Sequence, residues 1–222
     1  MNVVVSGAGS CLGEKLCLHL SAHGHRVFAL ARNSARLAGL AARRRGRVVP
    51  ISADIARPDQ ITDAYQSIQC SYGPIDALVN VSAAASTDGL WSSNPAAADT
   101  AADAALRGAM HCTQLVVPFM LKHHAGRIIS IAPSPLVSGF AGRGGVMAWA
   151  DELSHELEPL GIIASMLCPA QRTLSPSPGS PQRVSTLDAS FNDLAQMLEF
   201  LLTRPASLVY QRLAVVQPAM WQ

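Results

Sequence analysis

The chain has 222 residues, enough for one sizeable core, and the simplest expectation is a single domain over 1–222. A net charge of +2 gives no argument for nucleic acid, no apolar run is long enough for a membrane span, and no basic segment precedes the first strand, so neither a nucleic-acid nor a membrane partner is expected. The five cysteines, at 11, 17, 70, 112 and 168, are odd in number and lack metal-ligand spacing; they read as reduced thiols of a cytoplasmic protein with no metal.

Val3-Val4-Val5 is a β-branched run and predicts a buried strand. Ser6-Gly7-Ala8-Gly9-Ser10-Cys11-Leu12-Gly13 follows at once, and Glu14 to His23 carries a helical pattern through Leu16 and Leu20. A strand turning through glycines into a helix is suited to hold a phosphate. Glycine permits the tight turn and close backbone approach, and the helix N-terminus offers free N–H groups at a positive dipole end. Arg26 to Ala31 predicts the second strand, ending at Arg32-Asn33. In a dinucleotide fold an acidic residue at that strand end binds the ribose 2′-hydroxyl of NAD, and an Arg accommodates the 2′-phosphate of NADP. Here Arg32 stands with no carboxylate, which favours NADP.

Ser34 to Arg45 predicts a helix, Val48 to Ser52 a strand, Pro58 to Cys70 a helix and Ile75 to Val81 a strand containing Asn80. Ser82 to Asp99 reads as a loop. Thr100 to His124 predicts a long helix that Pro118 should kink or divide. Gly126 to Ile131 reads as a strand, Ala132 to Gly145 as a Gly/Ser/Pro-rich segment, Val146 to Leu160 as a helix and Ile162 to Cys168 as a strand. A Pro/Ser-rich loop, a helix over Leu187 to Leu202 and a strand over Leu208 to Val216 complete the chain. Strand and helix alternate throughout, which argues for an α/β fold with a parallel sheet covered by helices on both faces.

The chain resembles the short-chain dehydrogenase/reductase family over almost its whole length. Ser6-Gly7-x3-Cys11-Leu12-Gly13 is similar to that family's Thr-Gly-x3-Gly-Ile-Gly turn, and Asp54-Ile55 to its adenine-contacting Asp-Val/Leu pair. Asp76-x3-Asn80-Val81-Ser82-Ala83, Gly126-Arg-Ile-Ile-Ser-Ile131 and Cys168-Pro169-Ala170 resemble three further signatures. The resemblance implies a Rossmann-like doubly wound sheet of about seven strands with the first strand central. It also implies cofactor-binding positions at Gly7, Ser10, Cys11, Leu12, Gly13, Arg32, Asn33, Asp54, Ile55 and Asn80.

The departures from the family pattern carry the functional expectation. Cys11 replaces the middle glycine and puts a side chain where backbone should approach a pyrophosphate. The family's chemistry uses Ser, Tyr and Lys, with Tyr-x3-Lys on one helical face: Tyr moves the hydroxyl proton, Lys lowers its pKa and holds the nicotinamide ribose, and Ser holds the substrate oxygen. The tyrosines are Tyr65, Tyr72 and Tyr210, the residues four further on are Gln69, Asp76 and Ala214, and the only lysines are Lys15 and Lys122. Matching from Glu156 and Gly161 puts Gly139 at the Tyr position and Arg143 at the Lys position. Matching from Gly126 puts Pro133 at the Ser position with Ser134 beside it, and Ala105 falls at the supporting Asn.

The expectation is a pseudoenzyme that binds NADP weakly or not at all, or an assembly protein. Its partners would be itself, as homodimer or homotetramer through the helices at 100–124 and 146–160, or an active relative. The alternative is an atypical NADP-dependent oxidoreductase acting on a small carbonyl or hydroxy compound, with a relocated proton donor and with Ser134 and Arg143 as its catalytic residues.

Overall fold

The computed structural model describes residues 1–81, 95–132, 140–168, 183–205 and 207–214; the side chains at 95–105, 140–144, 183–190 and 214 are outside that description. Seven strands form one sheet: β1 (Asn2–Ser6), β2 (Arg26–Ala31), β3 (Val48–Ser52), β4 (Ala77–Val81), β5 (Gly126–Ile131), β6 (Ile162–Cys168) and β7 (Arg212–Ala214). Their order is β3-β2-β1-β4-β5-β6-β7 and every pairing is parallel. The first strand lies inside the sheet, as expected. The order reverses between β1 and β4, and in such sheets the crevice at that reversal is where ligands bind.

The helices are α1 (Cys11–Ala22), α2 (Ser34–Arg43), α3 (Pro58–Tyr72), α4 (Pro95–Leu121), α5 (Phe140–Leu157) and α6 (Arg183–Thr203). Successive strand residues face opposite sides of a sheet, and the core divides accordingly. Val3, Val5, Val27 and Ala29 pack with Leu16 and Leu20 of α1, Leu37 and Leu40 of α2, and Leu194 and Leu198 of α6. Val4, Phe28, Leu30 and Leu78 pack with Ile61 and Tyr65 of α3, Val116 and Met120 of α4, and Leu157 of α5. The strands are apolar on both faces because both faces are covered, which is the doubly wound α/β arrangement.

Several boundaries differ from the sequence expectation. α1 begins at Cys11 rather than Glu14, because Ser10 caps it: Ser10 Oγ accepts the Gly13 N–H at 3.0 Å. α4 begins at Pro95, inside the predicted loop, and Pro supplies a first-turn φ with no donor to lose. α5 begins at Phe140, six residues before Val146, despite three glycines in Phe140–Gly145. Packing overrides propensity there: a Cβ on Gly145 would stand 3.2 Å from Leu106 Cδ2 of α4, so the missing side chain lets the two helices approach. Pro118 does not divide α4; it lies within the last turn before Leu121. No helix among the described residues is long and apolar enough to cross a membrane.

Candidate functional site: the turn after the first strand

Gly7 leaves β1 with φ +71°. A Cβ there would stand 2.3 Å from the Val81 carbonyl oxygen, and one on Gly13 would stand 2.2 Å from the Gly7 carbonyl oxygen. The turn closes only because both positions lack side chains. Ser10 holds it shut, donating from Oγ to the Gly7 carbonyl at 2.8 Å while its backbone N–H reaches the same oxygen at 3.0 Å. Gly13 N–H goes to Ser10 Oγ and Glu14 N–H to the Ser10 carbonyl at 2.9 Å. The Cys11 and Leu12 amides remain as first-turn donors without intrahelical partners, at the positive end of α1. The Cys11 side chain is exposed at that same end.

Glu14, also in the first turn, would repel an anion. Its charge is offset by two guanidinium groups of α2, Arg43 at 2.7 Å and Arg36 at 3.6 Å. Arg32 is exposed just beyond β2, and its guanidinium makes no ion pair among the described residues. β2 runs past the turn: a Cβ on Gly9 would lie 3.2 Å from the Ala31 Cβ.

The remaining expected positions have other engagements. Asn33 caps α2, its Oδ1 accepting from Arg36 N–H at 3.0 Å. Asp54 closes an Asx turn, accepting from Ala56 N–H at 3.0 Å. Ile55 packs against α4 where a Cβ on Gly108 would meet Ile55 Cδ1 at 2.4 Å, and its carbonyl is 3.1 Å from His111 Nδ1. Asn80 is 1% exposed and its side chain is spent inside the protein. Ser6 Oγ donates to Asn80 Oδ1 at 3.0 Å, and Asn80 Nδ2 donates to Thr113 Oγ1 of α4 at 3.0 Å. This buried chain joins β1, β4 and α4 beneath the turn. The sequence placed Ser6 only as the first residue of the glycine turn and did not single out Thr113, a polar residue in an otherwise apolar stretch.

Ser134, Gly139 and Pro133 lie outside the described residues; Arg143 lies on α5 and Ala105 on α4, with side chains outside the description. The tyrosines and lysines are all placed. Tyr65 is buried on α3 and its hydroxyl donates to the Cys112 carbonyl at 3.1 Å; burial holds its pKa well above the ordinary phenol value. Tyr72 is at the C-terminal end of α3, edge-on to Phe28, and Tyr210 lies against Phe200 of α6. Lys15 Nζ is 5.2 Å from the centre of the Phe191 ring, and Lys122 Nζ is 5.5 Å from that of Phe119. None of the five is on α5.

An all-parallel doubly wound sheet with a glycine turn and helix N-terminus at its point of reversal defines a dinucleotide-fold protein. Residues 1–173 match the short chain dehydrogenase family, and the chain belongs to it. An uncharacterized oxidoreductase of Staphylococcus epidermidis is 28% identical over 176 residues, 75% of each chain. A metagenomic short-chain oxidoreductase solved in complex with NADP superposes with a TM-score of 0.79 at 22% identity, covering 98% of this chain and 97% of that one. The actinorhodin polyketide ketoreductase with NADPH superposes with a TM-score of 0.80 at 21% identity, covering 97% and 95%.

Proposed function

We propose that this chain holds NADP(H) at the turn after β1 and lacks the proton-transfer machinery of its family, acting as a binding or assembly protein. The observation that carries the second half is the placement of its tyrosines and lysines. A family enzyme needs a phenol and an ammonium one helical turn apart on α5. Here no Tyr-x3-Lys exists, Tyr65 is sealed under α4, and both lysines sit on aromatic rings elsewhere. Arg143, at the position matching the family's Lys, stays charged at all working pH and has no proton to give.

The first half rests on the fit of the turn. Gly7 and Gly13 make the close backbone approach, the Cys11 and Leu12 amides would bind the pyrophosphate, and Arg32 would meet a 2′-phosphate. Cys11 opposes the fit by standing at the mouth, so the affinity is weak. Two fold neighbours hold NADP and NADPH, which supports the same cofactor class here. NADP(H), when bound, supplies or accepts a hydride at its nicotinamide.

A second reading is favoured by the relatives named as oxidoreductases. In it Ser134 would hold a carbonyl oxygen and Arg143 would stand in as the cation near the ribose. NADPH titration followed by fluorescence and thermal shift, with a panel of carbonyl substrates, separates the readings. Binding without turnover supports the proposal. Turnover lost on Ser134→Ala or Arg143→Ala establishes the second reading, and absence of any NADPH response overturns the cofactor assignment.

A further inference from the structure

At the opposite end of α1 from the glycine turn, three histidines and a glutamate meet. His19 lies in the last turn of α1, His23 is its C-cap, His25 precedes β2 and Glu199 projects from α6. His19, His23 and Glu199 each offer one ligand atom, and these atoms lie within 4.8 Å of one another; no other group of three such side chains occurs among the described residues. The two imidazoles stack with centroids 4.1 Å apart.

The hydrogen bonds leave three ligand atoms free. His23 Nδ1 is 2.9 Å from the His19 carbonyl, which only accepts, so Nδ1 carries the hydrogen and Nε2 keeps its lone pair. His19 Nε2 is buried with no hydrogen-bond partner. Glu199 Oε1 takes His25 Nε2 at 2.9 Å, while Glu199 Oε2 is buried with no partner. Each of the three side chains thus keeps one atom outside these hydrogen bonds, in a cluster whose ligand atoms lie within 4.8 Å. His23, through Nδ1, and Glu199, through Oε1, are oriented by the kind of outer hydrogen bond that positions metal ligands. The carbonyl end of α1 adds a field that favours a cation.

We propose that His19, His23 and Glu199 form a divalent transition-metal site that takes zinc and ties the C-terminal turn of α1 to α6. Imidazole and carboxylate suit Zn²⁺, whose ligands in a tetrahedral site stand about 3.3 Å apart. The present spacing has to close on binding, and His23, held by the His19 carbonyl and ring, is exposed to solvent. That exposure also leaves a fourth position for water. The site lies about 12 Å along α1 from Cys11 at 1.5 Å per residue, so the ion is separate from the glycine turn. Its role is to clamp two helices whose Leu20, Leu194 and Leu198 belong to one core cluster. His25 is a positioning residue that holds Glu199.

The test is titration of the chelator-treated full chain with zinc chloride, by calorimetry and by competition with a chromophoric chelator. The expected result is one zinc per chain and a rise in Tm with zinc. In His23→Ala and Glu199→Gln the zinc affinity should fall by at least about tenfold and the Tm response should vanish, with NADPH response unchanged. His25→Ala should weaken zinc by about 10–100-fold, as loss of an outer-shell partner does. His23→Ala removes an exposed side chain and keeps the fold. No zinc uptake by wild type overturns the proposal. Equal zinc affinity in wild type, His23→Ala and Glu199→Gln overturns it too, since the ion would then sit elsewhere.

Discussion

Gly7 and Val81 are in direct contact across the point where the sheet order reverses: a Cβ added at Gly7 would stand 2.3 Å from the Val81 carbonyl oxygen. The register that pairs Ser6 with Asn80 sets this distance, because it brings the residue after each into the same crevice. The glycine turn is thus shaped by the neighbouring strand as well as by its own sequence. Gly7→Ala should cost at least about 1–2 kcal/mol from the positive φ alone, plus the cost of displacing β4. Urea denaturation should show this, and thermal shift should show that the variant no longer responds to NADPH.

The Ser6–Asn80–Thr113 chain makes a different prediction. Asn80 is a cofactor position by family resemblance, yet its amide is buried and bonded at both ends within the protein. Asn80→Ala leaves the Ser6 and Thr113 hydroxyls without their partner and should destabilise by about 1–3 kcal/mol. Ser6→Ala made on top should cost less than in wild type, since its acceptor is already gone. NADPH affinity of the folded Asn80→Ala protein should change little. A large loss of affinity at small loss of stability would give Asn80 a direct binding role.

The strands were legible because residues apolar on both faces are rare outside a covered parallel sheet; β5 and β6 match their predicted spans residue for residue. The glycine turn was legible from Gly7 and Gly13. The starts of α2 at Ser34 and α3 at Pro58 were legible too, but those of α1, α4, α5 and α6 were not. Phe140–Gly145 reads as a breaker by propensity, but Gly145 serves contact with α4, and contact between distant segments leaves no local pattern. The buried bridge through Thr113 was missed for the same reason. The assembly expectation rested on small and apolar residues along the helices at 100–124 and 146–160, with Met147 and Trp149 among them. Both are half-buried against the cluster of Ala132, Val146, Ala150 and Met166, so part of that surface is used within the chain. Among the described residues the exposed large apolar side chains are Met1, Tyr72, Leu160 and Leu208, none on α4 or α5.

Arg32 and Cys11 should act oppositely on nucleotide binding. Arg32 is exposed beside the turn, free of ion pairs among the described residues. Arg32→Ala should erase the preference for NADPH over NADH in competition titrations, and an unchanged preference would make it an ordinary surface residue. Cys11→Gly should tighten NADPH binding, because it removes the side chain at the mouth while keeping the Ser10 cap. Unchanged or weaker binding would show that Cys11 does not limit the site.

The thiols separate by burial, and this sets an alkaline limit on stability. Cys11 and Cys70 are exposed, while Cys17, Cys112 and Cys168 are buried. A thiol reagent should therefore modify two groups quickly in the native protein and three more only on unfolding. NADPH should protect one of the fast pair, the one at Cys11. Burial pushes both Cys17 and Cys112 from the ordinary 9.0 up to about 12. Below pH 9 both states keep these protons and the thiols leave stability independent of pH. Above 9 the unfolded chain loses them first, so the unfolded state is favoured as pH rises towards 12, by up to about 1.4 kcal/mol per pH unit for each thiol. Tyr65, whose folded pKa is also raised, adds to the loss above its ordinary value of 10.0. Urea midpoints measured upward from neutral pH should stay level to about 9 and then fall. In the double variant Cys17→Ala, Cys112→Ala the fall should be shallower, after allowance for the lower starting stability of the emptied core. An equally steep fall in that variant would assign the alkaline limit to other groups.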